Sequence, residues 1–228
     1  MVMGTTFVSM GISLDGYVAG PDGGPGNPLG TGGMRIHQWV YGLAAWREPM
    51  GLPDGRTGQD DDVVRETKSR PGAHVIGRNM FDEGEIGWPD PPPFHLPVFV
   101  VTTRPREPWV RKGGTTFHFV TEGVERAVEL AGEAAGDRDV QVSGGASTVR
   151  QAIAAGLVDD LQLHVAPLLL GEGLRLFDAF APAGVTLVPD RVIGSPGVTH
   201  VRYRLAYGPG GQTSAPASTA GAGGSAAG

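Results

Sequence analysis

Apolar and polar positions run along this chain with two different periods, and the switches between them mark its elements. An apolar stretch over residues 5–12 predicts a first strand, which enters Ser13-Leu14-Asp15-Gly16-Tyr17-Val18-Ala19-Gly20. Residues 21–33 are broken by Gly-Gly, Pro-Gly and Asn-Pro pairs and predict a long loop, of the kind that often covers a ligand. Ile36, Trp39, Val40, Leu43 and Trp46 then recur at helical spacing, predicting an amphipathic helix over 34–46. Asp60, Asp61 and Asp62 open a second helix, with Lys68 and Arg70 near its end and Pro71 after it, so acids and bases sit where the helix dipole favours them.

Residues 73–76 and 97–102 read as strands ending at Gly77-Arg78-Asn79-Met80 and Thr103-Arg104-Pro105. The second is apolar on both faces, as in the middle of a covered sheet. Residues 115–120 form another strand, and Thr121 is placed to cap a helix carrying Val124, Ala127, Val128 and Ala131. Residues 139–143 feed Gly144-Gly145-Ala146-Ser147 and a helix with Val149, Ile153 and Leu157, stopped at Gly156. Leu161, Leu163 and Val165 alternate along 161–166. Residues 185–193 and 198–205 flank Gly194-Ser195-Pro196-Gly197 as a hairpin. Strands alternating with helices and closing on a hairpin predict an α/β domain: one mixed, mostly parallel sheet with helices on both faces and a C-terminal β-hairpin.

Composition trims this picture. Thirty-eight glycines and 19 prolines fill a quarter of the 228 positions, about twice average usage. Part of the excess lies in 208–228, which holds no charge and no large side chain and predicts a disordered Gly/Ala/Ser-rich tail beyond a single domain at 1–207. A net charge of -6 leaves no basic footprint for nucleic acid. The absence of Cys removes disulfides, thiolate zinc sites and thiol catalysis. The six His lie too far apart for a recognised metal-ligand spacing, so no metal is expected. With no basic start before an apolar run and no membrane-length apolar stretch, the expectation is a soluble, cytoplasmic protein without a membrane partner.

Chemistry concentrates at strand ends. Ser143, Gly144, Gly145, Ala146 and Ser147 join a strand to a helix, where bare backbone and free N–H groups suit a pyrophosphate, or equally a tight turn with no ligand. Gly77-Arg78-Asn79 and Thr102-Thr103-Arg104 repeat the theme with a guanidinium, which suits a phosphate or a plain surface ion pair. Ligands of parallel sheets collect at such ends. Neither a dinucleotide Gly-x-Gly-x-x-Gly nor a P-loop is present.

The segments Ser13-Leu14-Asp15-Gly16-Tyr17-Val18-Ala19, Gly77-Arg78, Val100-Val101-Thr102-Thr103-Arg104, Ser143-Gly144-Gly145 and the run from Leu157 through Leu168-Leu169-Leu170-Gly171-Glu172-Gly173 to Leu176-Phe177 resemble the dihydrofolate-reductase-like family. The nearest branch is the reductase domain of bifunctional riboflavin biosynthesis, whose zinc deaminase half has no counterpart in a chain without Cys. The resemblance spans about 5–205. It implies the fold above, NADPH as cofactor, and often a homodimer. It places Gly77, Arg78, Asn79 and Met80 along the adenosine and pyrophosphate, and Thr103 and Arg104 at the 2'-phosphate. Ser143 to Ser147 fall at the pyrophosphate, and Gly11, Val18 and Ala19 beside the nicotinamide, with the loop after Asp15 as its cover.

On the substrate side the resemblance departs from folate reductases, because 34–47 carries no acid to bind a pterin. Asp15 and His164 remain as candidate catalytic groups to orient substrate or relay a proton. Asp15 serves equally to hold the Asp-Gly turn, and His164 to fill the space between layers. The expected activity is NADPH-dependent reduction of a small, heterocyclic C=N or C=O substrate; the alternative is a noncatalytic nucleotide- or drug-binding protein of the same fold.

Overall fold

The computed structural model describes residues 4–208 except 179, 181 and 183; apart from Gly208, the expected tail lies outside the described residues. In chain order the elements are β1 (Thr6–Ser13), β2 (Tyr17–Ala19), α1 (Ala44–Arg47), α2 (Gln59–Ser69), β3 (Pro71–Gly77), α3 (Arg78–Gly87), β4 (Val98–Val101), β5 (Trp109–Val110), β6 (Thr116–Val120), α4 (Val124–Ala135), β7 (Asp139–Gly144), α5 (Ala146–Ala154), β8 (Asp160–Ala166), β9 (Leu174–Arg175), β10 (Val185–Gly194) and β11 (Thr199–Tyr207). Among the described residues nine strands form one sheet in the order β10-β11-β8-β1-β7-β3-β4-β6-β5, and β2 pairs with β9 in a second, two-stranded sheet. The six strands from β8 to β6 are mutually parallel. The β10–β11 hairpin joins β8 antiparallel, and β5 is antiparallel to β6.

Alternation along each strand sorts side chains between two faces. Val8, Ile12, Val75, Val140, Val142 and Leu161 pack under α4 and α5 through Val124, Ala127, Ala131, Val149 and Ile153. On the other face Ile76, Val98, Val100 and Phe117 enclose Phe81 of α3. Further along that face, α2 lies over β1 and β8: the Arg70 guanidinium beyond its end sits 3.9 Å from the Phe7 ring centre, and Thr67 meets Gln162 at 3.4 Å. Among the described residues no helix is long and apolar enough to cross a membrane.

The departures from expectation have local causes. Residues 34–46 do not form one helix. They make a 3-10 turn over Gly33–His37, further turns, and then α1. Gln38 donates to Arg35, Val40 to His37 and Leu43 to Val40, all three residues back. Apolar residues three and four apart fit a three-residue repeat as well as a 3.6-residue one over so short a run. Helix α3 begins directly at Arg78, where the sequence reads as a strand end. Its Gly84 lets Trp88 lie against the helix, since a Cβ there would fall 2.1 Å from the indole. Trp88 in turn stacks on Phe117 with ring centres 5.4 Å apart. Thr121 does not cap α4: Gly123 holds the N-cap position, and the Thr121 hydroxyl donates to Glu122. Helix α5 ends at Ala154, short of Leu157. The Asp60–Asp62 run does start α2, and Asp61 is buried there, accepting the Ala45 N–H at 2.6 Å and Arg65 at 2.8 Å.

Candidate functional site

Strands β3 and β7 are neighbours, so Gly77 and Gly144-Gly145 arrive side by side at their carboxyl ends. A Cβ on Gly77 would lie 2.3 Å from Thr148 Oγ1 and 3.4 Å from the Gly145 nitrogen. Gly144 has φ 143°, a conformation only glycine adopts freely, with the Met80 sulfur 3.1 Å from its absent Cβ. Gly145 faces open space. Gly77 and Gly145 are the N-caps of α3 and α5, and neither helix has a side-chain cap or an acid in its first turn. Two helix N-termini with unclaimed N–H groups thus converge on one small hollow, which favours an anion.

Beside it, Arg78 donates to Asp82 at 2.6 Å and Arg104 to the other oxygen of Asp82 at 2.7 Å. The two arginines are brought together by one carboxylate that keeps its charge, since their hydrogen bonds and fields outweigh its burial. Thr102 Oγ accepts the Arg104 N–H at 3.0 Å and so fixes the turn that presents Arg104 and Thr103 to solvent. Asn79 and Ser147 are exposed and Ala146 is buried. Val18 is buried in the core cluster under α4 and α5. Ala19 backs onto Gly173, where a Cβ would fall 2.2 Å from the Ala19 oxygen. The loop after Gly20 is folded on itself, with Gly24 and Asn27 bonded both ways, and touches α3 where Leu29 N–H reaches Glu83 at 3.4 Å. Gly11 gives room for the 33–37 turn: a Cβ there would lie 2.7 Å from the His37 ring.

A row of polar side chains crosses the sheet face that α2 and α3 leave between them. His164 Nε2 meets Ser9 Oγ at 2.9 Å, and His74 Nδ1 meets Ser143 Oγ at 2.9 Å. The register of β1 with β7, Val8 opposite Val142, carried one residue on sets Ser9 next to Ser143. Both serines are half-buried while both histidines are buried. Burial holds the His74 pKa down to about 4, and burial together with the His200 and His37 rings holds His164 down to about 3, so both are neutral near pH 7. Among the described residues no group of three or more His, Asp or Glu is arranged to hold a metal.

Asp15 belongs to a different network. Its carboxylate accepts Ser13 Oγ at 2.6 Å and the N–H groups of Leu170 and Gly171 at 3.0 and 2.8 Å. These bonds pull its pKa to about 2, the Ser13 hydroxyl contributing most. Asp15 thereby pins the 168–171 segment to the end of β1, and its oxygens are committed to that task.

The model of the RibD C-terminal domain matches residues 5–191 of this sequence. The chain belongs to the RibD C-terminal domain family. No protein of curated function matches it. Among solved structures, a putative riboflavin biosynthesis protein from Shewanella sp. PV-4 superposes with TM-score 0.60 at 21% identity, covering 88% of this chain and 98% of that one. A diaminohydroxyphosphoribosylaminopyrimidine deaminase/5-amino-6-(5-phosphoribosylamino)uracil reductase from Thermotoga maritima gives 0.55 at 14% identity, covering 89% of this chain and 56% of that one. A pyrimidine reductase-like protein from Corynebacterium diphtheriae gives 0.53 at 14% identity, covering 90% and 93%. At such identities the likeness is one of fold, an α/β fold with one mixed, mostly parallel sheet.

In this RibD C-terminal domain the residues that sequence reasoning missed are Ser9, His74, Thr148 and the partners of His164. Ser9 was within reach, since it alternates with Val8 and Met10 and shares a face with Gly11. His74 lacked any signal beyond its place in a short strand. A groove of about 580 Å3 lies elsewhere, between α4 and the β4–β6 edge, lined by Phe99, His118, Leu130 and Glu133, and contains none of these residues.

Proposed function

We propose that the protein is an NADPH-dependent reductase of a pyrimidine-type heterocycle, of the class represented by 5-amino-6-(5-phosphoribosylamino)uracil. The observation that carries this reading is the convergence of two uncapped helix N-termini on Gly77 and Gly145, with no Cβ between them. The hollow fits a pyrophosphate: it offers bare backbone, N–H donors and no competing acid. Thr103 and Arg104 lie at the end of β4, two strands from β7, and suit the 2'-phosphate, with Arg78 between them and the hollow. When bound, NADPH supplies the hydride, and no protein nucleophile is needed.

The chain's own part is to hold the reactants and a proton. Ser9 and Ser143 present hydroxyls that both donate and accept, each backed by a buried neutral imidazole, and so suit the amide-like edge of a heterocycle. Gly11 and the His37 turn close one side, and the loop after Gly20, tied to Glu83, closes another and excludes water. His164 is the candidate proton carrier, at Nε2. Asp15 positions the 168–171 segment. Leu187 and Val192 on edge strand β10 are 46% and 67% exposed and favour a homodimer as the working form, which light scattering would measure.

The test is to mix the protein with NADPH and 5-amino-6-(5-phosphoribosylamino)uracil, with dihydrofolate as a second arm, and follow loss of NADPH absorbance. Oxidation with the pyrimidine alone is expected. Tight NADPH binding, read by tryptophan quenching, without turnover of either would move the protein to the noncatalytic binding class. No binding at all would sink both readings.

A further inference from the structure

Behind His164 the hydrogen bonds do not stop. Its Nδ1 lies 2.6 Å from His200 Nδ1, and His200 Nε2 lies 3.1 Å from Asp60 Oδ1 at the start of α2. Asp60 also accepts Ser195 Oγ at 2.9 Å, and its side chain is 23% exposed while that of His200 is 3% exposed. A continuous chain therefore runs from the rim of the molecule through two buried rings to Ser9, on the cleft face of β1. Trp39 clamps it, with its ring centre 5.2 Å from His164 and 5.0 Å from His200. Four separate elements, α2, β11, β8 and β1, each contribute one link.

We propose that Asp60, His200, His164 and Ser9 form a proton relay that delivers the proton accompanying hydride transfer to the substrate heteroatom. The proposal rests on the reductase reading for its use, and on hydrogen-bond arithmetic for its mechanism. Two nitrogens facing each other share one proton, so their orientation is fixed by the ends of the chain. The Asp60 carboxylate accepts, so His200 must carry its proton on Nε2. In the neutral pair His200 Nδ1 is then bare, His164 donates to it from Nδ1, and His164 Nε2 is bare and receives the Ser9 hydroxyl proton. All hydrogen bonds point away from the cleft. When His200 takes up one proton it donates from both nitrogens, His164 must accept at Nδ1 and carry its proton on Nε2, and Ser9 accepts from His164. The Ser9 hydroxyl proton is thereby freed to point into the cleft.

The transfer balances. Ser9 gives its proton to the substrate nitrogen or oxygen as hydride reaches the adjacent carbon. His164 Nε2–H re-protonates Ser9, His200 Nδ1–H passes to His164 Nδ1, and the chain returns to its neutral orientation. One proton has left His200; after product leaves, water in the open cleft gives Ser9 a new proton as the Ser9 hydroxyl proton passes to His164 Nε2 and the His164 Nδ1 proton to His200 Nδ1, while Asp60 holds the charged ring. Ser9 is the catalytic residue of this set; His164, His200 and Asp60 act through it.

The groups facing the chain from neighbouring elements are His37 from the 33–37 turn, which disfavours charge on His164, and Arg191 from β10, which disfavours charge on His200. Burial lowers the pKa of both rings, and Asp60 opposes that only at His200, so the added proton resides on His200 and the charged form is transient near neutrality.

Imidazole 15N NMR of the full chain tests this without any substrate. The expected result is His164 as the Nδ1–H tautomer and His200 as Nε2–H near neutrality, with His164 switching to Nε2–H in step with a single protonation of the pair on acidification. Asp60→Asn should lower that protonation by about one pH unit. Finding His164 already Nε2–H at neutral pH, or unmoved as His200 titrates, overturns the relay. Should Asp60→Asn fail to fold, Ser9→Ala, which leaves the rings in place, must retain the switch. In turnover of 5-amino-6-(5-phosphoribosylamino)uracil, Asp60→Asn should move the alkaline limb of kcat down by about one pH unit with NADPH affinity unchanged. An active enzyme whose pH profile ignores Asp60→Asn overturns the relay. A protein that shows the tautomer switch but reduces nothing keeps the relay's chemistry and refutes the reductase reading instead.

Discussion

Gly77 and Gly145 come together because neither carries a Cβ, whereas Ser9, His164, Ser143 and His74 meet, within the same sheet, because each carries a side chain of fitting length. The first site is made of backbone N–H groups whose charge does not change between acid and base. The second is made of groups that are buried, neutral and titratable. A backbone site is therefore vulnerable to one added methyl and indifferent to pH, while the histidine row has the opposite sensitivities. The sheet joins the two kinds of site by placing one at the strand ends and the other a few residues back.

Acid gives the largest contrast. Folded His74 and His164 have pKa values of about 4 and about 3, against 6.5 for a free histidine, so between those values the unfolded chain binds more protons. Stability is full above about pH 6.5 and falls as pH drops towards 4, with each ring adding a slope of about 1.4 kcal/mol per pH unit. Urea midpoints measured near neutrality and near pH 5 should differ strongly. A flat response would show that the row is not buried as a neutral unit and would dissolve the comparison.

Gly77→Ala comes next. The new Cβ would stand 2.3 Å from Thr148 Oγ1, with the backbone of Gly145 behind it, so the strand end must move. The expected loss is about 1–3 kcal/mol of stability together with NADPH binding. Retention of both would mean that the close approach of β3 and β7 is not needed.

Gly145→Ala separates cavity from fold. Its φ of -79° accepts alanine and nothing lies within 4 Å of the added Cβ. Urea unfolding should match the parent, while the methyl stands where the pyrophosphate is proposed and should raise the NADPH Kd about tenfold, equivalent to about 1.4 kcal/mol. Unchanged affinity would place the phosphates elsewhere.

The same contrast explains what the sequence discloses. A backbone site announces itself locally: strand, two glycines, helix, all within 139–154, and the hairpin and central strands are equally local in their two-residue period. The histidine row is assembled from positions far apart, Ser9 and His164 being 155 residues from each other. Period tells which face a residue takes but not which strands become neighbours, so His164 was visible only by resemblance, Ser9 only by the face it shares with Gly11, and the link from His164 to His200 and Asp60 not at all. The Asp60–Asp62 run was legible as a helix start, yet its first two members also serve His200 and Ala45, contacts that depend on where α2 lands. Residues 34–46 misled for the converse reason, since burial was read correctly and the backbone repeat was not.

Arg104→Ala is the smallest and most specific of these effects. Arg104 stands outside both kinds of site: its side chain is 62% exposed, and it is steadied by the Thr102 turn and by Asp82, which Arg78 also holds. Removing it leaves Asp82 paired with Arg78, so the fold and the glycine hollow should stay intact. An exposed guanidinium in water contributes modestly, and the expected loss is about fivefold in NADPH affinity. NADH lacks the 2'-phosphate and should bind parent and variant alike. The ratio of the two losses is thus the measurement: a loss confined to NADPH assigns Arg104 to the 2'-phosphate, and an equal loss for both returns Arg104 to the role of a surface ion pair that braces α3.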